Sequence, residues 1–231
     1  MRGLFVTGTD TGVGKTRVAV ATIHMLGRAG LKTVGMKPVA SGSASTAGGL
    51  RNDDALQLQA AANLPRPYEL VNPCAFAPSI APHLAAQEAG VRIDLAHILE
   101  SYRRLCEGAD AVVVEGVGGW QVPLGNAWGL PELARGLALP VVLVVGLRLG
   151  CLNHAQLSAR AIRSDGLSLA GWVANGVDPG FERRAENLAT LERALKAPLL
   201  ADIPWGPQLP VETLAARFDR ALLLRLLNNS E

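Results

Sequence analysis

Apolar residues fall into two alternating patterns along the 231-residue chain. Short continuous runs, of which Ala111-Val-Val-Val114 and Val141-Val-Leu-Val-Val145 are the clearest, are apolar at every position. A strand reads this way when helices cover both faces of a parallel sheet. Between the runs lie longer stretches of helical period. The order read is Leu4 to Thr7 (strand), Gly14 to Arg28 (helix), Lys32 to Pro38 (strand), Asp53 to Ala62 and Asp94 to Cys106 (helices), Ala111 to Glu115 and Pro140 to Val145 (strands), Leu152 to Arg163 (helix), Leu169 to Ala174 (strand), Phe181 to Leu195 (helix) and Leu199 to Ile203 (strand). Alternation of this kind predicts a doubly wound, mostly parallel α/β layer flanked by helices, with residues 1–231 as one domain. The Ser/Gly/Thr-rich stretch from Ala40 to Asn52 and the proline-bearing stretch from Leu64 to Pro82 read as loops. In such a sheet ligands bind beyond the carboxyl ends of the strands, so those ends are where chemistry is sought.

Composition narrows the function classes. Hydrophobic residues make up 49% of the chain and charged ones 18%, enough apolar material for a sizeable core. A formal net charge of +2, with no basic block interleaved with aromatics, does not suggest a nucleic-acid partner. The apolar run from Gly136 to Leu147 is shorter than a membrane span and is interrupted by Pro140, so no membrane partner is expected. Phe5 and Val6 lead directly into glycine-rich sequence without a secretory leader, giving an expectation of a cytoplasmic protein. Cys74, Cys106 and Cys151 lack metal-ligand spacing and read as free thiols.

Three strand ends carry candidate chemistry. GTDTGVGKT, Gly8 to Thr16, follows the first strand and opens a helix. It departs from the usual phosphate-loop pattern by placing Thr9 where the first glycine belongs, yet it keeps Gly14-Lys15-Thr16. Backbone N–H groups there can meet phosphate oxygens, Lys15 adds a charge, and the Thr16 hydroxyl suits Mg²⁺. Glu115 ends an apolar strand before Gly116-Val117-Gly118-Gly119 and can reach the same metal. Asp53 and Asp54, taken alone, begin a helix, where acids suit the dipole. Lys37 ends the second strand, near Ser41; two lysines and a hydroxyl exceed what nucleotide phosphates need and suggest a second anionic reactant.

The strings GTDTGVGKT, KPVASGS, RNDDAL, VVVEGVGGW, GCLNHA, GWVANG and IPW, in that order, closely resemble the dethiobiotin synthetase family, from the first strand to about Glu212. The resemblance implies an ATP- and Mg²⁺-dependent cyclo-ligase of biotin synthesis that joins CO₂ to 7,8-diaminononanoate through a carbamate and its phosphorylated form. It implies Lys37 and Lys15 as catalytic groups. Thr11, Lys37 and Ser41 would hold substrate, with Leu149, Gly150 and Asn153 receiving its carboxylate across a homodimer interface. Thr16, Asp54 and Glu115 would be the Mg²⁺ set. Gly12, Val13, Gly14, Lys15, Thr16, Arg17, Asp54, Glu115, Gly116, Val117, Gly118, Asn175, Gly176, Pro204, Trp205, Gly206 and Glu212 would form the nucleotide site, Asn175 reading the base. Two positions depart from the family pattern: Gly12, where a bulkier and often acidic residue occurs, and Asn187, where some members place a substrate-contacting tyrosine.

Two rival classes share parts of this pattern. A partner-binding ATPase switch shares such a sheet, but its loop carries an early lysine where this chain has Asp10. Its basic membrane helix would correspond to Ala215 to Arg225, which Asp219 interrupts and whose leucines are expected to cover the sheet instead. An amide ligase acting on a corrin-type acid needs an added glutaminase domain for which this length leaves no room. His24 and His97 read as packing or surface residues, His83 as a helix-start residue near substrate and His154 as shaping the loop at Asn153.

Overall fold

A computed structural model describes residues 2–228. The chain opens with β1 (Arg2–Gly8), α1 (Lys15–Arg28) and β2 (Thr33–Met36), then β3 (Val39–Ala40) and a hairpin of β4 (Ala44–Thr46) and β5 (Gly49–Arg51). There follow α2 (Asp53–Ala61), α3 (Tyr68–Val71), β6 (Cys74–Ala75), α4 (Pro82–Glu88), α5 (Leu95–Leu105), β7 (Ala111–Glu115) and α6 (Leu130–Leu137). The remainder is β8 (Val141–Leu147), α7 (Cys151–Ser164), β9 (Leu169–Gly176), α8 (Arg184–Leu195), β10 (Leu199–Ile203), α9 (Val211–Ala215) and α10 (Arg220–Asn228).

Six strands form the central sheet in the order β10-β9-β8-β1-β7-β2, and every pair is parallel. Side-chain alternation divides the core between its faces. Leu4, Val6, Ala111, Val113, Val142 and Val144 pack under α1 and the C-terminal segment, whereas Phe5, Val112, Val114, Leu143 and Val145 pack under α5, α6 and α7. Leu223 and Leu227 of α10 are buried on the first face, so the C-terminal leucines cover the sheet. Among the described residues no helix is long and apolar enough to cross a membrane.

Several predicted boundaries move, for local reasons. The second strand stops at Met36, because Lys37 N–H turns away to donate to the Val71 carbonyl at 2.8 Å. The two stretches read as loops contain the β4–β5 hairpin, α3 and β6. The first runs exposed, and the others are too short to show a period. Helices α4 and α6 lie outside the predicted elements; each begins with a proline in its first turn, which fits a helix start because Pro lacks the N–H that would be unpaired there.

Doubly wound connectivity leaves a crevice at β1, because the chain crosses from β1 to β2 on one side of it and later passes from β7 to β8 on the other. The loop from Thr9 to Gly14 lies at that crevice.

Candidate functional site

Alternation along β7 sends Val113 and therefore Glu115 to the α1 face, and Glu115 pairs in register with Val6 of β1. Its carboxylate thus sits beneath the start of α1, where Thr16 Oγ1 donates to Glu115 Oε1 at 3.0 Å. Glu115 is 1% exposed, and its second oxygen, Oε2, is buried without a partner.

Lys37 is brought to the same carboxylate by the early end of β2. Its ammonium lies 2.5 Å from Glu115 Oε1, 3.0 Å from Asp54 Oδ2 and 3.2 Å from the Gly116 carbonyl. Its backbone is fixed as well, since Asn72 Nδ2 donates to the Lys37 carbonyl at 2.6 Å. Tyr68 links Asn72 to Asn52: the Tyr68 hydroxyl donates to Asn72 Oδ1 and accepts from the Asn52 N–H. Asn52 in turn donates to the Ser41 carbonyl and caps α2 by accepting from Ala55 N–H. One buried chain of hydrogen bonds therefore positions Lys37, Ser41 and the helix that carries Asp54. Asp53 and Asp54 occupy the first turn of α2, as the dipole argument expects, although the cap is Asn52.

Burial opposes the Lys37 charge, but Glu115 and Asp54 outweigh it and hold the ammonium above its ordinary value. Burial pushes the Glu115 carboxyl up, and Lys37 works against that rise. Asp54, less enclosed, is held low by Lys37 and Thr16 despite its own burial.

Lys15 differs. Nζ donates to the Asp10 carbonyl at 2.9 Å, and burial, followed by the charge of Lys37, lowers its pKa to about 8. Dianionic or trianionic phosphate beside this group would favour its charged form. Nucleotide affinity is expected to fall as pH rises through about 8. Calorimetry in buffers of different ionisation enthalpy would detect the accompanying proton uptake; affinity and proton uptake both constant from pH 7 to 9.5 would refute the assignment. Asp10 itself pairs with Arg148, just beyond β8, and accepts from the Thr11 N–H at 2.7 Å.

The phosphate-type loop is held from the other side by β9. Gly14 has φ 89° and caps α1, a left-handed conformation that favours glycine. Asn175, 2% exposed, donates from Nδ2 to the Val13 carbonyl at 2.8 Å. A Cβ on Gly14 would stand 2.2 Å from that nitrogen. Asn175 Oδ1 remains buried and unpartnered, available only as an acceptor.

A cavity of about 820 Å³ opens over these groups. It is lined by twelve of the predicted residues: Thr11, Gly12, Gly14, Lys15, Thr16, Arg17, Lys37, Ser41, Asp54, Glu115, Val117 and Gly118. The Ser41 hydroxyl on its wall is buried and unpartnered. A second predicted group lies alongside: Gly176 packs against Pro204 and Trp205, and Arg17 donates to the Gly206 carbonyl at 2.7 Å. Glu212 is exposed in the first turn of α9, just beyond. Val13 and Gly116 are buried outside the cavity lining.

Leu149, Gly150 and Asn153 do not line the cavity. Gly150 (φ 93°) caps α7, Leu149 is 93% exposed, and Arg148 connects this corner to Asp10. Asn187 is half-buried and donates to the carbonyl of Arg183, the residue that caps its helix. His83 lies at the start of α4, outside the cavity lining, with a buried, unpartnered Nδ1.

Sequence reasoning missed one whole wall, Asn52, Gln57 and Ser79 to Pro82, together with Gln121 to Pro123. The two-residue pairing of β3 with β6 brings Ser79 to Pro82 in. Gly42 was its one legible signal: φ is 76°, and an added Cβ would meet Ser79 Oγ at 2.6 Å.

The donor set fits Mg²⁺. It offers a hydroxyl and two carboxylates, one with an unpartnered buried oxygen, and leaves other coordination positions for water and phosphate, as Mg²⁺ prefers. The glycines before Lys15 fit a polyphosphate, since a side chain at Gly14 would collide with Asn175.

A family model described as an AAA domain matches residues 2–213. The chain is 56% identical over 220 residues to a protein of Pseudomonas aeruginosa (strain UCBPP-PA14) named ATP-dependent dethiobiotin synthetase BioD, covering 95% of this chain and 96% of that one. The same name is carried by a Chromohalobacter salexigens protein, 54% identical with 88% and 90% covered, and a Xylella fastidiosa protein, 50% identical with 92% and 95% covered. Among solved structures, the MinC:MinD cell division protein complex of Aquifex aeolicus matches with a TM-score of 0.61 at 16% identity, covering 99% of this chain and 96% of that one. Chloroplast FtsY of Physcomitrella patens matches with a TM-score of 0.54 at 20% identity, covering 98% and 64%. These structural likenesses concern the fold alone.

Proposed function

Because the chain belongs to the dethiobiotin synthetase family and is an ATP-dependent ligase of biotin biosynthesis, we propose that it closes a ureido ring from 7,8-diaminononanoate and CO₂. The observation that carries the reading is the pairing of two ammonium groups, Lys15 and Lys37, with the unpartnered Ser41 hydroxyl on the cavity that the phosphate loop opens.

An amine attacks CO₂ only as the free base. Two neighbouring ammonium groups disfavour a third positive charge and so lower the substrate amine pKa. The carbon–nitrogen bond forms, the nitrogen loses its proton to solvent, and a carbamate results. Lys37 and Ser41 hold this anion, with Thr11 beside the diamine, while Lys15 spans it and the γ-phosphoryl group. A carbamate oxygen attacks phosphorus as the bond to the ADP oxygen breaks. The second amine then attacks the carbamoyl carbon, phosphate departs, and the ring closes. Lys15 and Lys37 thus stabilise negative charge in both halves of the reaction.

Thr16, Asp54 and Glu115 would hold Mg²⁺, which neutralises charge on the transferring phosphoryl group. Gly12 to Arg17 and Gly116 to Gly118 would cradle the polyphosphate. Gly176, Pro204, Trp205, Gly206 and Glu212 would flank the nucleoside. Asn175, with Nδ2 committed to the loop, would present Oδ1 to an amino group of the base. The exposed Leu149, Gly150 and Asn153 would receive the substrate carboxylate of a second copy at the N-terminus of α7, making the working form a homodimer of single-domain, cytoplasmic chains.

The test is phosphate release from Mg·ATP with and without diamine and bicarbonate, with mass detection of the product. Dethiobiotin formed only with all components supports the reading. ATP turnover indifferent to diamine, without dethiobiotin, would overturn it and favour a nucleotide switch.

A further inference from the structure

The three bonds of Lys37 raise a question of occupancy that the ligase chemistry does not answer. Its ammonium is bonded to Glu115 Oε1 and Asp54 Oδ2, the two carboxylates assigned to Mg²⁺, and Thr16 reaches the same Glu115 oxygen. The group is 4% exposed, so water does little to screen it. A divalent ion gathering both carboxylates would lie about 2.1 Å from their oxygens. That places it within van der Waals range of the ammonium, with three positive charges against two negative ones. We propose that Lys37 is the resident counter-cation of this carboxylate pair, and that metal entry and the Lys37–carboxylate bonds are mutually exclusive.

The surroundings say where the ammonium goes. Met36 and Val114, which precede Lys37 and Glu115 in sequence, are both fully buried in the apolar core. Ahead lies the cavity, where the Ser41 hydroxyl is buried and without a partner. Displacement from the carboxylates therefore drives the ammonium toward the wall assigned to the carbamate. One side chain serves first as a stand-in for the metal and then as a ligand to the reacting anion, and arrival of the cation converts the first state to the second. Cation loading and acceptor binding are coupled through Lys37 alone, with no movement of the backbone that Asn72 and Val71 hold.

The inference rests on the assignment of Thr16, Asp54 and Glu115 to a metal, and it is tested without turnover. Mn²⁺ binding to the nucleotide-free, full-length protein at pH 8 would be followed by the loss of the free-ion electron paramagnetic resonance signal. Wild type would be compared with Lys37→Met, which keeps an unbranched side chain one atom shorter and removes its charge, and with Lys37→Arg, which keeps the charge. Affinity is expected to rise roughly tenfold or more in Lys37→Met and not in Lys37→Arg, since removing a neighbouring like charge favours the cation. Adding Glu115→Gln to Lys37→Met should abolish the gain, which places the bound ion at this site. Circular dichroism verifies that each variant is folded; should Lys37→Met not fold, Lys37→Gln takes its place. Equal Mn²⁺ affinity in wild type and the neutral variant would overturn the proposal, as would a gain that survives Glu115→Gln. Dethiobiotin formation by wild type is read separately, so an unchanged Mn²⁺ affinity alongside product formation refutes the counter-cation role and leaves the ligase reading standing.

Discussion

Replacing Lys37 by alanine is expected to lower dethiobiotin formation by about 10³-fold or more, because the substitution removes a charge that the carbamate and the transferring phosphoryl group both need. ATP should still bind, since the glycine loop, Lys15 and Thr16 are untouched. The substitution has a second effect that must be separated from the first. It leaves Glu115, fully enclosed, without its ion-pair partner, and breaking a buried pair in this way costs about 3–5 kcal/mol of stability. A variant that loses activity by unfolding would lose ATP binding too. Single-turnover mass detection of dethiobiotin, run beside an ATP titration at a temperature where the variant is folded, distinguishes the two. Product above about a tenth of the wild-type amount with ATP still bound would remove Lys37 from the chemistry; a residual rate of that size corresponds to only about 1.4 kcal/mol of transition-state stabilisation.

The fold was legible because its strands are buried on both faces. Val112, Val113 and Val114 had to be apolar whichever way they pointed, and the parity of that run fixes Glu115 on the α1 face. The phosphate loop was legible because its chemistry is local: Gly14, Lys15 and Thr16 act through backbone conformation and consecutive side chains. What was not legible depends on pairing across sequence. Nothing in Pro78 to Pro82 reveals that two residues of β6 join two of β3 and carry Ser79 and Ile80 to the cavity. The partners of Lys37 are 17 and 78 positions away, so its ion pairs could not be read from spacing. Asn175 shows the same limit differently. The resemblance gave it a role toward the base, and only the fold shows its amide nitrogen spent on Val13, 162 positions earlier.

That bond makes Gly14 the other position of large expected effect. Two penalties meet there, and they are separable by comparison with Gly12. Both glycines have positive φ, 74° at Gly12 and 89° at Gly14, so an alanine at either site costs about 1–2 kcal/mol of backbone strain. Around Gly12 an added Cβ meets nothing within 4 Å, whereas at Gly14 it would stand 2.2 Å from Asn175 Nδ2. Asn175 is enclosed at the end of β9 and cannot retreat without giving up the Val13 carbonyl; leaving that buried acceptor unpaired adds about 1–3 kcal/mol. Gly12→Ala is therefore expected to weaken ATP binding roughly tenfold, and Gly14→Ala by about a further ten- to hundredfold, each 1.4 kcal/mol being a factor of ten. Calorimetric ATP titrations of the two variants, with melting curves to separate loop damage from global unfolding, supply the comparison. If the two alanines weaken binding equally, the Asn175 contact contributes nothing to the loop and strain accounts for both. If only Gly14→Ala is severe, and Gly14→Ala combined with Asn175→Ala recovers part of the loss by opening the space, the loop geometry depends on β9 as much as on its own glycines.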